Sequence, residues 1–118
     1  MFKAEVVSAE KIHYIFCSDE YLVGINNKFL KHNTLTDVIT FPLSSSPVNA
    51  EIYISLERVK ENAKIFDTKY ETELLRVIIH GALHLCGYDD KRGNDKQIMR
   101  RKEEFYLNHF NVSREATY

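Results

Sequence analysis

Two histidines and a carboxylate that follows them are the residues with the clearest chemistry in this 118-residue chain. His80 and His84 are four residues apart. In a helix, that spacing places two side chains about 40° apart around the axis and about 6 Å apart along it. The pattern therefore predicts a helix that presents two imidazoles to one metal ion.

A metal held by two imidazoles needs another ligand from outside the helix. Gly87 suits the left-handed position that ends a helix, and the chain that turns back there carries Asp89 and Asp90. We expect Asp90 to be the third ligand, with Asp89 as the alternative. Two histidines and one carboxylate are a common catalytic zinc set, because three protein ligands leave a position for water. The predicted nucleophile is that metal-bound water, and no side chain is assigned as a base.

The other interpretation of these histidines is a structural one. A lone histidine on an apolar helix face is more often a hydrogen-bonded core residue than a ligand, but a pair at ligand spacing, followed by a helix stop and carboxylates, favours metal. Cys86 lies two residues after His84 and hence about 200° around the helix. We therefore leave Cys86 out of the ligand set.

Residues 80–90, HGALHLCGYDD, resemble the zinc signature of the YbeY endoribonucleases, the bacterial ribosomal RNA maturation factors. The usual third histidine of that signature is Asp90 here, which makes the site one unit less positive, so its water should be a weaker acid. The likeness spans about residues 12–107. Beyond the signature, it includes Asn26, residues 36–42 (TDVITFP), Glu51-Ile52, Met99 and Glu103.

This resemblance implies an α+β fold: a zincin-like single domain over residues 1–118, with a small mixed β-sheet packed by helices and a central metal-binding helix. It also implies a zinc-dependent, single-strand-specific endoribonuclease with one Zn²⁺ per chain, held by His80, His84 and Asp90. The substrate would be single-stranded rRNA near the 3′ end of the small-subunit RNA. The partner would be the ribosome or its small subunit, in rRNA maturation and ribosome quality control.

The same resemblance makes residues 36–42 an edge strand that helps to hold the substrate, with Thr36 and Asp37 as substrate-binding residues. The family generally has Arg where this chain has Leu30. Lys31, the next residue, could supply positive charge to the substrate, but not the bidentate phosphate contact of a guanidinium.

Two other functions are compatible with the histidine pair. A metallopeptidase of the H-E-x-x-H type would have Glu beside the first histidine as general base, whereas this chain has Gly81 there. A non-enzymatic ribosome-assembly factor would hold zinc structurally, although structural sites normally have four protein ligands, often cysteines. We expect RNA cleavage to be the better description.

Composition and charge narrow the setting of this chemistry. The chain is 44% hydrophobic, which is typical of a globular domain. No apolar run approaches the ~20 residues that span a bilayer, and the amino end lacks the features of a secretory signal, so we expect a cytoplasmic protein with no membrane contact. The net charge of −1 gives no global attraction to RNA. RNA binding would need a local basic groove or protein partners, and no oligomeric state is predicted.

Periodicity predicts three strands and four helices. The strands are expected at residues 12–17, 36–42 and 50–55, with Pro42 ending the second and a loop over residues 43–49. Ser18 and Ser55 are expected to cap helices, the first running from about Asp19 to Lys31. Residues 1–10 are poorly patterned, and the chain looks short there beside the family, which usually has another strand and helix.

The last two helices carry the predicted site. Thr68 and Glu71 form a capping-box pattern for a metal-binding helix over about residues 69–86. Asn94 and Gln97 form a weaker one for the final helix, and residues 111–118 are expected to be a frayed tail. The apolar faces of the second and fourth helices are predicted to be Leu56, Val59, Ala63 and Phe66, and Ile98, Met99, Phe105, Tyr106 and Phe110. The cations Lys96, Arg100, Arg101 and Lys102 are expected to be solvated, with phosphate contact as the alternative for a few of them.

Overall fold

The computed structural model describes residues 1, 5, 9–30, 36–45 and 47–115, with the side chains of 29, 30, 45 and 110–115 left aside. The strands are β1 (Ala9–Cys17), β2 (Val38–Ser45) and β3 (Val48–Ser55), and the helices are α1 (Asp19–Leu30), α2 (Leu56–Ile65), α3 (Tyr70–Leu85) and α4 (Gly93–Glu115). The sheet order is β1-β3-β2, with β1 parallel and β2 antiparallel to β3. The predicted α+β fold with a small mixed sheet is confirmed.

The central strand β3 has buried residues at alternating positions, which pack against the helices. Ile52 and Ile54 point to the helical side and are 0% exposed, as the pattern predicted. They form a core with Val59 of α2 and Val77 of α3. Because β3 pairs with a strand on each edge and packs against the helices, it is the central strand on which the metal-binding helix lies.

Gly81 allows α3 to pack closely against β2 and β3. A Cβ atom built at Gly81 would stand 3.0 Å from Cγ2 of Ile52 and 3.4 Å from Oγ1 of Thr40. Both neighbours belong to the sheet, and Ile52 is fully buried, so the strand has no room to withdraw. The glycine between the two imidazoles therefore sets the depth at which the predicted ligands lie against β2 and β3.

The β2–β3 hairpin differs from the prediction. Pro42 was expected to end its strand and residues 43–49 to form a loop, but β2 continues to Ser45 and β3 already begins at Val48. The strand survives the proline because β2 is an edge strand, and its register to β3 shifts between Pro42 and Ser44. The strand β1 also begins earlier than expected, at Ala9.

Helix caps were predicted correctly only in part. The Ser18 hydroxyl accepts from the backbone N–H of Tyr21, and Ser55 accepts from that of Arg58, as expected. The capping box at Thr68 is wrong, because Lys69 is the N-cap residue of α3 and makes no side-chain cap bond. The capping box predicted at Asn94 is also wrong, because α4 begins at Gly93 and Asn94 is already inside the helix.

Three aromatic or aliphatic residues assigned to the core face solvent instead. Phe66 is 62% exposed, since α2 ends at Ile65 before the helical stripe reaches it. On α4 the buried stripe is Met99 and Tyr106, while Ile98 and Phe105 lie outside it. The helix also continues to Glu115, beyond the expected start of the tail. Among the helices of the described ranges, none has the length and apolar character to cross a membrane.

Candidate metal centre

The loop after α3 returns the chain to the two histidines. Gly87 has φ +99°, and the N–H groups of Gly87 and Tyr88 donate to the carbonyls of His84 and Leu83, which is a Schellman motif. Asp89 turns its carboxylate to the backbone N–H of Asp90 at 2.7 Å. The carboxylate of Asp90, not that of Asp89, therefore reaches the imidazoles.

Three ligand atoms meet at one point. Nε2 of His80 lies 3.0 Å from Nε2 of His84 and 3.2 Å from Oδ2 of Asp90, and His84 Nε2 lies 3.5 Å from the same oxygen. A tetrahedral zinc with bonds of about 2.0–2.1 Å separates its ligand atoms by about 3.3 Å. These three are the only group of this kind among the described His, Cys, Asp and Glu residues. The triangle fits a zinc-sized ion, and the role of the residues as ligands stays a prediction.

Hydrogen bonds on the far side of each ring decide which nitrogen faces the ion. Nδ1 of His84 lies 2.9 Å from the backbone carbonyl of Tyr88, which can only accept, so Nδ1 carries the proton. Nδ1 of His80 lies 2.6 Å from Oε2 of Glu103. When both rings are neutral, their Nε2 atoms are lone-pair acceptors that face each other and a carboxylate, an arrangement that a cation relieves.

The acidic side chains around His80 also favour a positive charge at this ring. Burial lowers the pKa of His80, but the hydrogen bond and charge of Glu103 outweigh it, with help from Asp90 and Asp37, and raise that pKa above its ordinary value. Burial raises the pKa of Glu103, yet its contacts with His80 and Arg76 bring that pKa below the usual range. The acidic neighbours of His80 therefore favour a positive charge at this ring, which a proton or a metal ion can supply.

Sequence reasoning missed the residue that holds Glu103 in place. The Arg76 guanidinium donates from Nη1 to Glu103 at 3.1 Å and from Nε to Glu73 at 2.9 Å, and lies 3.7 Å from Asp37. Glu73 and Glu103 are 3% and 2% exposed, so both carboxylates need this cation. A charged pair at i, i+3 inside an otherwise apolar helix was the available signal.

A second missed cluster fixes the returning loop. The Tyr88 hydroxyl donates to Glu5 at 2.6 Å, and Glu5 also accepts from Tyr106 and from Lys102 at 3.1 Å. Lys102 was expected to be solvated and is instead bound here. Because the Tyr88 carbonyl orients His84, this cluster positions the loop that completes the site.

The predicted substrate-binding residues have partners of their own. The Thr36 hydroxyl donates to the Val38 carbonyl at 3.2 Å, and Asp37 faces Arg76 at the start of β2. Lys31 lies outside the described residues, and Leu30 is described only as the last residue of α1. Contact of Thr36, Asp37 or Lys31 with substrate stays a prediction.

Comparison with known proteins identifies the family of this chain. The chain matches the family model described as Endoribonuclease YbeY over residues 2–111. It is 51% identical over 110 residues to Endoribonuclease YbeY of Flavobacterium psychrophilum, covering 92% of this chain and 79% of that protein. The corresponding protein of Flavobacterium johnsoniae is 47% identical over 114 residues, with 92% and 82% covered.

A solved structure is similar as well. The solution structure of TM1509 from Thermotoga maritima superposes with a TM-score of 0.70 at 34% sequence identity, over 98% of this chain and 77% of that one. The family match covers nearly the whole chain and includes every residue of the metal centre. This chain belongs to the Endoribonuclease YbeY family.

Proposed function

We propose that the protein is a zinc-dependent endoribonuclease, folded as one domain, that cleaves single-stranded ribosomal RNA during rRNA maturation. The substrate is the precursor of the small-subunit RNA near its 3′ end, the partner is the ribosome or its small subunit, and the setting is the cytoplasm, including ribosome quality control. The observation that carries the proposal is the triangle of His80, His84 and Asp90 in a chain whose relatives are named endoribonucleases.

Each residue of the centre has a distinct task in this proposal. His80, His84 and Asp90 would hold a zinc ion with one position left for water, and the ion would supply a water of pKa about 7 as nucleophile at neutral pH. His80 and His84 offer Nε2 because Glu103 and the Tyr88 carbonyl hold the protons on Nδ1. Asp90 would contribute a negatively charged ligand from the loop after α3. Its side chain is 39% exposed, so RNA can approach the centre from that side.

The two alternative functions have less support. A peptidase needs a general base beside the ion, but Gly81 occupies the position of that Glu, and Glu103 is engaged on the Nδ1 side of His80, away from the site. A structural zinc site normally has four protein ligands, and three meet here among the described residues. Comparing cleavage of a single-stranded rRNA fragment with cleavage of casein separates a nuclease from a peptidase.

The decisive experiment pairs metal analysis with RNA cleavage. Protein purified without chelator should contain about one zinc per chain, and His80→Ala and Asp90→Ala should lose most of the zinc and the cleavage of a single-stranded rRNA fragment. His13→Ala is the matched control, because His13 is exposed on β1 and should keep both.

Three outcomes count against the proposal. If both variants keep stoichiometric zinc, these residues are not the ligands. If the zinc-loaded parent leaves the RNA intact, the enzyme assignment is wrong. Loss of zinc in His80→Ala with unchanged rRNA processing in cells and retained ribosome binding would instead identify an assembly factor with structural zinc.

A further inference from the structure

A row of three cations lies at the start of α4, directly after the loop that carries Asp90. Arg92, Lys96 and Arg100 are spaced by four residues, and all three are exposed. The N–H of Lys96 donates to the Arg92 carbonyl at 2.8 Å, so the first turn of α4 closes on Arg92 and the spacing is helical from there. The three side chains therefore follow one side of α4 over about 12 Å.

Glu103 shows which side of α4 this is. Lys96 precedes Glu103 by seven residues, which is about 20° around the helix, and Arg100 precedes it by three, which is about 60°. Glu103 points at His80 and holds its Nδ1. The cation row therefore lies on the flank of α4 that faces the metal centre, and Asp90 stands two residues before Arg92.

Nothing in the described part of the chain neutralises these charges. None of the three side chains takes part in an ion pair or a side-chain hydrogen bond there, and Glu104, four residues after Arg100, does not pair with it. Like charges at i, i+4 repel each other on a helix, and a cation at the start of a helix opposes the helix dipole. The row is thus unfavourable for folding, and an external polyanion would relieve it.

We infer that Arg92, Lys96 and Arg100 bind phosphates of the single-stranded RNA and hold the strand alongside the metal centre. The inference rests on the proposed function for its substrate. It supplies the local basic surface that a chain of net charge −1 needs for RNA. Contacts of this kind position the strand without reading its sequence.

Charge removal on the row tests the inference. Binding of a short single-stranded phosphorothioate RNA, which resists hydrolysis, is measured by fluorescence anisotropy with the zinc-loaded full chain over a range of salt. For Lys96→Gln/Arg100→Gln, we expect the slope of log affinity against log salt to fall by about 1.4, or about 0.7 per lost phosphate contact. At ~0.1 M salt this is about 25-fold weaker binding.

Arg101→Gln is the matched control. Arg101 is exposed on the same helix and carries the same charge, but lies about 200° around the axis from Glu103, so its loss should leave the slope nearly unchanged. Zinc content should equal that of the parent in all variants. Equal slopes for the parent and the double variant, or an equal loss in Arg101→Gln, would overturn the inference. Binding is measured without cleavage, so an inactive parent would refute the proposed function and leave this result standing.

Discussion

Glu103→Gln isolates the part that one buried carboxylate plays in holding the metal. Glu103 is 2% exposed and accepts from His80 Nδ1 at 2.6 Å and from Arg76 Nη1 at 3.1 Å. A glutamine of the same shape has a single acceptor oxygen, so its NH₂ group must face one of these two donors. The substitution therefore either frees the Nδ1 proton of His80 or breaks the contact with Arg76.

The expected cost follows from these two contacts. Loss of a carboxylate partner behind a metal-binding histidine lowers metal affinity by about 10–100-fold, which corresponds to about 1.4–2.7 kcal/mol. Loss of one buried charge-assisted hydrogen bond should lower the free energy of unfolding of the metal-free protein by about 1.5–3 kcal/mol. Arg76 keeps Glu73 and Asp37, so the helix pair α3–α4 should remain folded.

Competition with a chromophoric chelator measures the zinc affinity of the native protein, and urea unfolding measures the stability separately. Glu104→Gln removes the same charge from the next, exposed position and should change neither quantity. A Glu103→Gln protein that binds zinc within about twofold of the parent would show that Glu103 does not position His80. In that case the tautomer argument fails for His80, whereas that for His84 depends on the Tyr88 carbonyl.

Two further predictions concern α3, the helix that carries the two histidines. Gly81→Ala should lower the free energy of unfolding by about 1–3 kcal/mol, because its Cβ would press on the fully buried Ile52. Gly24→Ala is the control in α1, where nothing lies within 4 Å, and it should be neutral or stabilising by up to about 1 kcal/mol; equal effects in urea unfolding would contradict the close-packing argument. Because Glu103, Asp90 and Asp37 raise the pKa of His80, protons compete with zinc for this ring more strongly than for an ordinary histidine, so the apparent zinc affinity should fall as the pH drops from about 8 to about 6. Zinc titrations in buffers of different ionisation enthalpy count that proton, and a pH-independent affinity would refute the assignment.

Prediction from sequence succeeded where a local rule has a single solution. The spacing of His80 and His84, the stop at Gly87 and the alternation of Ile52 and Ile54 each depend on backbone geometry within a few residues. It failed where neighbours decide the outcome. Pro42 was predicted to end its strand. However, β2 is an edge strand of the sheet, where a residue without a backbone N–H is tolerated.

The sequence by itself determined the helix that carries two imidazoles and the candidate third ligand, because the spacing that defines them is contained in eleven consecutive residues. It also determined the family, through motifs that follow one another in order over about residues 12–107. Only the tertiary structure decided that Asp90 rather than Asp89 faces the imidazoles, and that Glu103 and Arg76, from two different helices, stand behind them. A hydrogen bond between residues 23 positions apart depends on how α3 packs against α4. Helical periodicity fixes the side of its own helix on which a residue lies, and carries no information on the residue that it meets across the interface.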